Sequence, residues 1–364
     1  MTVESSPTVS RDRAPELDLL RFIAATMVVV YHYCYRPTEA GTVRPEMYGV
    51  LQDLATYGYL GVPLFFLISG FVIVWSAAGR TAGQFLKSRF LRLYPMFWLS
   101  VGITFLVVWL AGVRPELYSV RVVLANLTLV PAYFDVPFVD GVYWTLAIEL
   151  KFYLMILAAI VLRQMPRIEY WMYLWLAACV ALTFREVPLL GSLTMMPHGF
   201  YFVGGAICFF IRDSGPSIAR LLALGIAAAG SVYHAIPGRE NFTFAEQMAS
   251  PVVVSVLIVA FYLSMLGVAL RWIRLRHTVI WITLGALTYP LYLLHNMIGK
   301  VLFAQLEPVA GPWARLALVA ALAYSLAWAC ARWLEPAARE GVAGLIKRMG
   351  SSRELGGPSR RTGE

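Results

Sequence analysis

The stretch LDLLRFIAATMVVVYHYCY, residues 17–35, decides the fold class, because it is long and apolar enough to cross a bilayer as one helix. It also contains Arg21 and His32, and ionisable groups inside a membrane segment are costly and usually functional. Eleven steps of about 100° bring both side chains to the same face of an α-helix, roughly 16 Å apart along its axis. This spacing suits an elongated anionic ligand whose reactive end reaches the histidine.

The whole chain shares this apolar character. Its 364 residues are 59% hydrophobic and 14% charged, with a mean hydropathy of +0.68. These values exclude a soluble domain and predict an all-α fold, a polytopic bundle of membrane helices. The four cysteines lie in or beside apolar runs, so we interpret them as small core residues rather than disulfides or metal ligands.

Windows of membrane length predict about ten transmembrane helices. Their approximate limits are Leu17–Tyr35, Gly58–Ala78, Tyr94–Gly112, Tyr143–Leu162, Tyr170–Phe184, Leu193–Ile211, Ile218–Ala235, Pro251–Leu270, Val279–Gly299 and Trp313–Trp333. The stretch from Arg114 to Pro131 is apolar but short, so we predict a re-entrant or interfacial segment there. The predicted membrane domain is residues 15–340, between a disordered cytoplasmic tail at residues 1–14 and a cytoplasmic tail at residues 341–364.

The distribution of Lys and Arg predicts the orientation of the bundle. With ten spans, twenty of these residues fall on the side that holds both termini and seven on the opposite side. The positive-inside rule therefore places both termini in the cytoplasm. The net charge of +9 is then mostly a topology signal, so we expect no nucleic-acid partner. Arg21 lies near the cytoplasmic face, three residues after Asp18, which can pair with it, and His32 lies in the outer half of the membrane.

Two residues could carry acid–base chemistry. Histidine ordinarily titrates near neutrality, so His32 can act as a general base. Glu149, at the outer start of the fourth span, would lie at a similar depth and could orient the imidazole. Each residue has a plainer alternative. His32 could be a core histidine bonded to a backbone carbonyl, and Glu149 could form an interhelical ion pair, for example with Lys151.

Other polar residues could bind or guide a ligand. Arg89 and Arg92 share one helix face at the cytoplasmic surface, where they could hold phosphates or merely anchor the helix. Ser69 precedes a glycine that permits close helix packing, which is the simpler interpretation, or a break. Tyr292 and His295 share one face of a span that contains a proline. We predict that Ser69, Tyr292 and His295 line a substrate path.

Together these segments resemble the integral-membrane acyltransferase family 3, the bacterial O-acyltransferases of sugars and related acceptors. The matching segments are Leu17 to Arg21 with His32; FFLISGF, residues 65–71; RFLRLYP, residues 89–95; Trp144 to Tyr153 with Glu149; YFVGG, residues 201–205; and YPLYLLH, residues 289–295. They occur in family order over nearly the whole chain. Within the family the chain is most similar to exopolysaccharide acetyltransferases of the succinoglycan type, and macrolide acyltransferases are also similar.

The resemblance implies ten spans in the bacterial inner membrane and transfer of an acyl group, commonly acetyl, from acyl-CoA to a hydroxyl. The expected acceptor is a carbohydrate such as an exopolysaccharide or a lipid-linked sugar. In this scheme His32 and Glu149 are catalytic, and Arg21, Arg89 and Arg92 bind the donor. Membrane lipid and polysaccharide synthesis machinery are the further expected partners.

Three alternatives remain open. The acceptor could be a macrolide or a lipid, or the chain could be a glycan or proton-coupled transporter that carries intramembrane charges for transport. The sequence shows no pair of interrupted halves typical of inverted repeats, which argues against the transporter. It also shows no metal-ligand spacing, no Walker loop and no dinucleotide fingerprint, so we expect no metal and no permanently bound cofactor, only acyl-CoA as the donor substrate.

Overall fold

The computed structural model describes residues 14–35, 48–117, 119–236, 249–276 and 278–354. Over these residues the chain is helical and contains no β-strand. The predicted all-α bundle is therefore confirmed. Most of the predicted N-terminal tail, the last ten residues of the C-terminal tail, and the basic residues Arg36, Arg44 and Arg239 lie outside the described residues.

The α-helices are numbered here in chain order. They are α1 Pro15–Val30, α2 Val50–Ala55, α3 Gly61–Ala77, α4 Ala82–Leu110, α5 Val120–Leu127, α6 Trp144–Val161, α7 Ile168–Phe184, α8 Pro188–Leu193, α9 Gly199–Ser214, α10 Ile218–Ala235, α11 Pro251–Ala269, α12 Val279–Leu306, α13 Pro312–Ala329 and α14 Glu335–Glu354. Two π-helical turns, Tyr31–Tyr35 and Cys330–Leu334, follow α1 and α13.

Seven helical segments of the described chain are long and apolar enough to cross a membrane. They contain α1, α3, α4, α6, α10, α11 and α13. The other three predicted spans correspond to α7, α9 and α12, which have 17, 16 and 28 residues and are not among these seven segments. A multi-pass membrane protein is thus confirmed, whereas the count of ten spans and the orientation stay predictions.

Helix α4 begins well before the predicted start of its span at Tyr94, because a capping box stabilises a polar first half. The side chain of Thr81 accepts from the backbone N–H of Gln84, and the side chain of Gln84 accepts from the backbone N–H of Thr81. A hydropathy window detects only the apolar part of such a helix. The polar extension carries Arg89 and Arg92, so the cap helps to position both guanidinium groups.

The segment from Arg114 to Pro131 contains the short helix α5. The side chain of Ser119 caps this helix by accepting from the N–H of Val122. The indole N–H of Trp98 on α4 donates to the carbonyl of Leu127 at 3.0 Å, so the segment is attached to α4. Its placement as interfacial or re-entrant stays a prediction.

The core is built around α9, whose residues from Gly199 to Ile211 are all buried. Glycines allow α9 to lie directly against α3. A Cβ on Gly205 would lie 2.9 Å from the carbonyl carbon of Leu67, and a Cβ on Gly70 would lie 2.9 Å from that of Phe202. Helix α3 continues without a break through Ser69 and Gly70. The interpretation of this pair as a helix-packing feature is therefore confirmed.

The C-terminal helix α14 runs across residues 340 and 341, where we placed the end of the membrane domain and the start of the C-terminal tail. Arg92 donates from Nη1 to Glu335 Oε1 at 3.2 Å, which attaches the first turn of α14 to α4. The predicted C-terminal tail therefore begins within a helix that contacts the bundle. The four cysteines are all buried and carry free thiols, as the sequence indicated.

Candidate functional site

A cavity of about 110 Å³ lies between α1, α3, α4, α6 and α12. Six of the eight predicted site residues line it, and they come from all five helices: Arg21, Ser69, Arg89, Arg92, Glu149 and Tyr292. The remaining two, His32 and His295, are not among the lining residues. The structure thus brings together side chains from opposite ends of the chain.

Three guanidinium groups give the cavity a positive character. Arg21 lies 3.4 Å from Asp18, so the predicted pair is confirmed. Arg92 is held by Glu335 and lies 5.4 Å from the centre of the Tyr289 ring. The Nε of Arg89 is buried and makes no hydrogen bond within the described part of the chain. Guanidinium groups of this kind suit a phosphate or another planar or tetrahedral anion.

Glu149 is the one carboxylate among the residues that line the cavity. Its Oε1 accepts from the hydroxyl of Tyr153 at 2.6 Å and from that of Ser69 at 3.3 Å. The ion pair with Lys151, considered from sequence, is not the arrangement seen, because the Lys151 ammonium donates to Ser192 at 3.1 Å. With three arginines and one glutamate, the lining keeps an excess of positive charge.

His32 lies on the π-helical turn at the end of α1 and pairs with His295 of α12. Its Nδ1 lies 3.0 Å from His295 Nε2 and 3.0 Å from the carbonyl oxygen of Val28. The plainer interpretation of His32, a bond to a backbone carbonyl, is therefore part of the arrangement. His295 is buried, with only 1% of its surface exposed.

The two residues predicted to share one face of the first helix are not both in the lining of this cavity, and their service to one ligand stays a prediction. Arg21 lines the cavity, whereas His32 lies against His295 outside its lining. His32 is the second residue of the π-helical turn Tyr31–Tyr35, in which the backbone hydrogen bonds run from i to i+5 instead of i to i+4. Such turns frequently occur at functional sites.

One aromatic side chain connects the cavity to the histidine pair. Tyr292 lines the cavity, and its ring centre lies 5.9 Å from that of His295 and 5.4 Å from that of Phe65. The Tyr292 hydroxyl bonds to Thr145 Oγ1 at 2.8 Å and donates to the carbonyl of Val142 at 3.2 Å. The predicted shared face of Tyr292 and His295 is confirmed, and it joins the two parts of the site.

Sequence reasoning missed Asp140, which is fully buried. Its carboxylate accepts from Asn296 Nδ2 at 2.6 Å, from the backbone N–H of Met297 at 2.8 Å and from that of Val142 at 3.2 Å. Asn296 and Met297 directly follow His295 in the chain. An Asp-Gly pair before a span is typical of a turn, so the only available signal was the asparagine beside an intramembrane histidine.

Comparison with known proteins gives the family. A family model described as an acyltransferase domain matches residues 15–332. The chain belongs to this family. The resemblance drawn from its sequence motifs is thereby confirmed, and residues 15–332 form an acyltransferase domain.

Two relatives are similar over large parts of the chain. Acyltransferase MdmB of Streptomyces mycarofaciens is 30% identical over 198 residues, which cover 50% of this chain and 47% of the relative. Exopolysaccharide production protein ExoZ of Rhizobium meliloti (strain 1021) is 30% identical over 256 residues, which cover 66% of this chain and 76% of the relative. The chain thus spans less than half of the first relative and about three quarters of the second. No solved structure gave a significant match.

Proposed function

We propose that this acyltransferase transfers an acyl group, commonly acetyl, from acyl-CoA to a hydroxyl of a carbohydrate such as an exopolysaccharide or a lipid-linked sugar. The observation that carries the proposal is the convergence of three arginines on one cavity beside a pair of histidines. The name of one relative, exopolysaccharide production protein, supports a carbohydrate acceptor.

The donor proposal rests on charge. Acyl-CoA carries phosphates at one end and the thioester at the end of a long flexible arm. Arg89 and Arg92 from α4 and Arg21 from α1 would bind the phosphates through charge-assisted hydrogen bonds. A cavity of about 110 Å³ holds only part of such a molecule, so the rest of the donor would extend out of it. With the predicted inner-membrane location and cytoplasmic termini, this cation cluster would lie on the side that contains acyl-CoA.

The chemistry is assigned to His32. Its Nε2 would take the proton of the acceptor hydroxyl while the hydroxyl oxygen attacks the thioester carbonyl carbon. The carbon–sulfur bond then breaks, and the leaving thiolate takes the proton back from Nε2, which gives an ester and the CoA thiol. Positioned proton transfer of this kind is worth about 100- to 10,000-fold in rate. The acyl end of the donor would pass the layer formed by Phe65 and Tyr292 to reach His32.

The test is transfer of label in proteoliposomes that contain the purified protein, ¹⁴C-acetyl-CoA and a lipid-linked sugar. The proposal predicts label on the sugar that mild alkali releases, as expected of an O-ester, and none with His32→Ala. Label on membrane lipid alone would contradict the acceptor class, and so would label on a macrolide added in a parallel reaction while the sugar stays unlabelled. Sugar transport without acetyl transfer would contradict the enzymatic proposal and support the transporter.

A further inference from the structure

The contacts of the histidine pair fix the positions of its protons. His295 Nδ1 lies 3.1 Å from the carbonyl oxygen of Leu291 and 2.9 Å from that of Tyr292. Carbonyl oxygens only accept hydrogen bonds, so Nδ1 of His295 carries a hydrogen. In a neutral imidazole the other nitrogen is an acceptor, and His295 Nε2 therefore presents a lone pair to His32.

The same reasoning extends to His32. Its Nδ1 faces two acceptors at 3.0 Å, the lone pair of His295 Nε2 and the carbonyl oxygen of Val28. His32 Nδ1 therefore carries a hydrogen, and in the neutral ring Nε2 is the unprotonated nitrogen. This is the tautomer that a general base with Nε2 as its reactive atom requires.

We propose that His295 is the positioning residue of the catalytic base. It accepts a hydrogen bond from His32 Nδ1–H, holds the imidazole in the basic tautomer and stabilises the positive charge through that bond after His32 accepts a proton. The inference rests on the proposed function, in which His32 is the base. A group behind the imidazole has the same task in serine hydrolase triads. Glu149, to which we assigned this task from sequence, accepts instead from Tyr153 and Ser69.

His295 is held firmly enough for such a role. The Tyr33 hydroxyl donates to the carbonyl oxygen of His295 at 2.9 Å. Asp140 binds the two following residues, Asn296 and Met297. A buried carboxylate near the pair favours the positive charge that develops there during the reaction. The site is thus organised before the substrate binds.

The proposed proton transfers balance without a further reactant. One proton moves from the acceptor hydroxyl to His32 Nε2, and the same proton moves from Nε2 to the CoA sulfur when the carbon–sulfur bond breaks. His295 gains and loses no atom. Its contribution is the hydrogen bond to Nδ1–H, which strengthens when His32 is positively charged.

Two substitutions of His295 separate hydrogen bonding from packing. The amide oxygen of His295→Gln can still accept from His32 Nδ1–H, so kcat should remain within about tenfold of wild type. His295→Leu fills the space without an acceptor, so kcat should fall by about 10- to 100-fold. The KM for acetyl-CoA should change little in both variants, because His295 does not line the cavity.

His234→Gln is the matched control, since the His234 ring bonds to Thr183 between α7 and α10 and should not affect transfer. Equal loss of kcat in His295→Gln and His295→Leu would overturn the hydrogen-bonding role. Full activity of His295→Leu would overturn it as well.

Magic-angle-spinning NMR of ¹⁵N-histidine-labelled protein in lipid gives a readout that does not need turnover. The chain has five histidines, so signals can be assigned by their loss in His32→Ala and His295→Gln. We expect both rings to have a protonated Nδ1 and an unprotonated Nε2. A His32 ring protonated on Nε2 in an active enzyme would overturn this inference alone. The expected spectrum in a protein without acetyl transfer would contradict the proposed function alone.

Discussion

The packing of α3 against α9 gives a prediction with a magnitude that follows from the structure. A methyl group on Gly205 would lie 2.9 Å from the carbonyl carbon of Leu67 and 2.8 Å from the backbone nitrogen of Phe71. The carbonyl oxygen of Leu67 would lie closer still. Ordinary contacts between such atoms are about 3.5–4.0 Å, so the helices must separate by more than about 1 Å. Backbone atoms cannot rotate away as a side chain could. Overpacking of this kind costs about 1–3 kcal/mol.

Gly205→Ala should therefore lower the Tm of the purified protein, by about 3 °C for about 2 kcal/mol in a chain of 364 residues. It should also lower acetyl transfer, because α3 carries Ser69 into the cavity, where its hydroxyl donates to Glu149. The assay is thermal unfolding in detergent followed by initial-rate kinetics. Gly102→Ala is the control, since no atom of another helix in the described part of the chain lies within 4 Å of the added methyl group. A Gly205→Ala protein with unchanged Tm and activity would refute the close crossing.

Three carboxylates yield further predictions. Glu149→Gln removes the negative charge beside three arginines, so the KM for acetyl-CoA should fall severalfold at low salt. A large loss of kcat at constant KM would instead indicate that Glu149 is catalytic. Glu335→Gln releases Arg92 from a partly exposed ion pair worth about 0.2–1 kcal/mol, so the KM for acetyl-CoA should fall by less than about fivefold. A rise in this KM would mean that Glu335 orients Arg92 for binding. Asp140→Ala leaves the buried Asn296 amide without its acceptor, which should lower the free energy of unfolding by about 1–3 kcal/mol in a denaturation assay. An unchanged free energy of unfolding would contradict the proposed rigid support of the histidine pair.

Much of the bundle could be predicted because a bilayer imposes a simple rule on sequence. Helices α1, α3, α6, α10, α11 and α13 lie where apolar windows of membrane length place them. Helix ends follow local chemistry instead. The Thr81 cap extends α4 through polar residues that no hydropathy window includes. Helix α9 has only 16 residues and depends on burial by its neighbours, which a single sequence does not reveal.

The cation cluster of the candidate site could also be predicted, because charges inside apolar segments are conspicuous in a sequence. Arg21, Arg89 and Arg92 do line one cavity. The histidine pair could not be predicted, since its members are 263 residues apart and His32 lies on a π-helical turn that no hydropathy pattern indicates. The prediction assumed an ideal α-helix, in which His32 and Arg21 share one face. It could not indicate that His32 also contacts His295.

The most direct test of the central proposal, an arginine-lined donor site, is the dissociation constant of CoA for the protein in lipid nanodiscs. Loss of one charge-assisted hydrogen bond costs about 1.5–3 kcal/mol, so Arg89→Ala combined with Arg92→Ala should weaken binding at least about tenfold. Lys87→Ala removes an exposed cation of the same helix that does not line the cavity, and it should leave the dissociation constant within about twofold. An unchanged dissociation constant in the double variant would contradict the account.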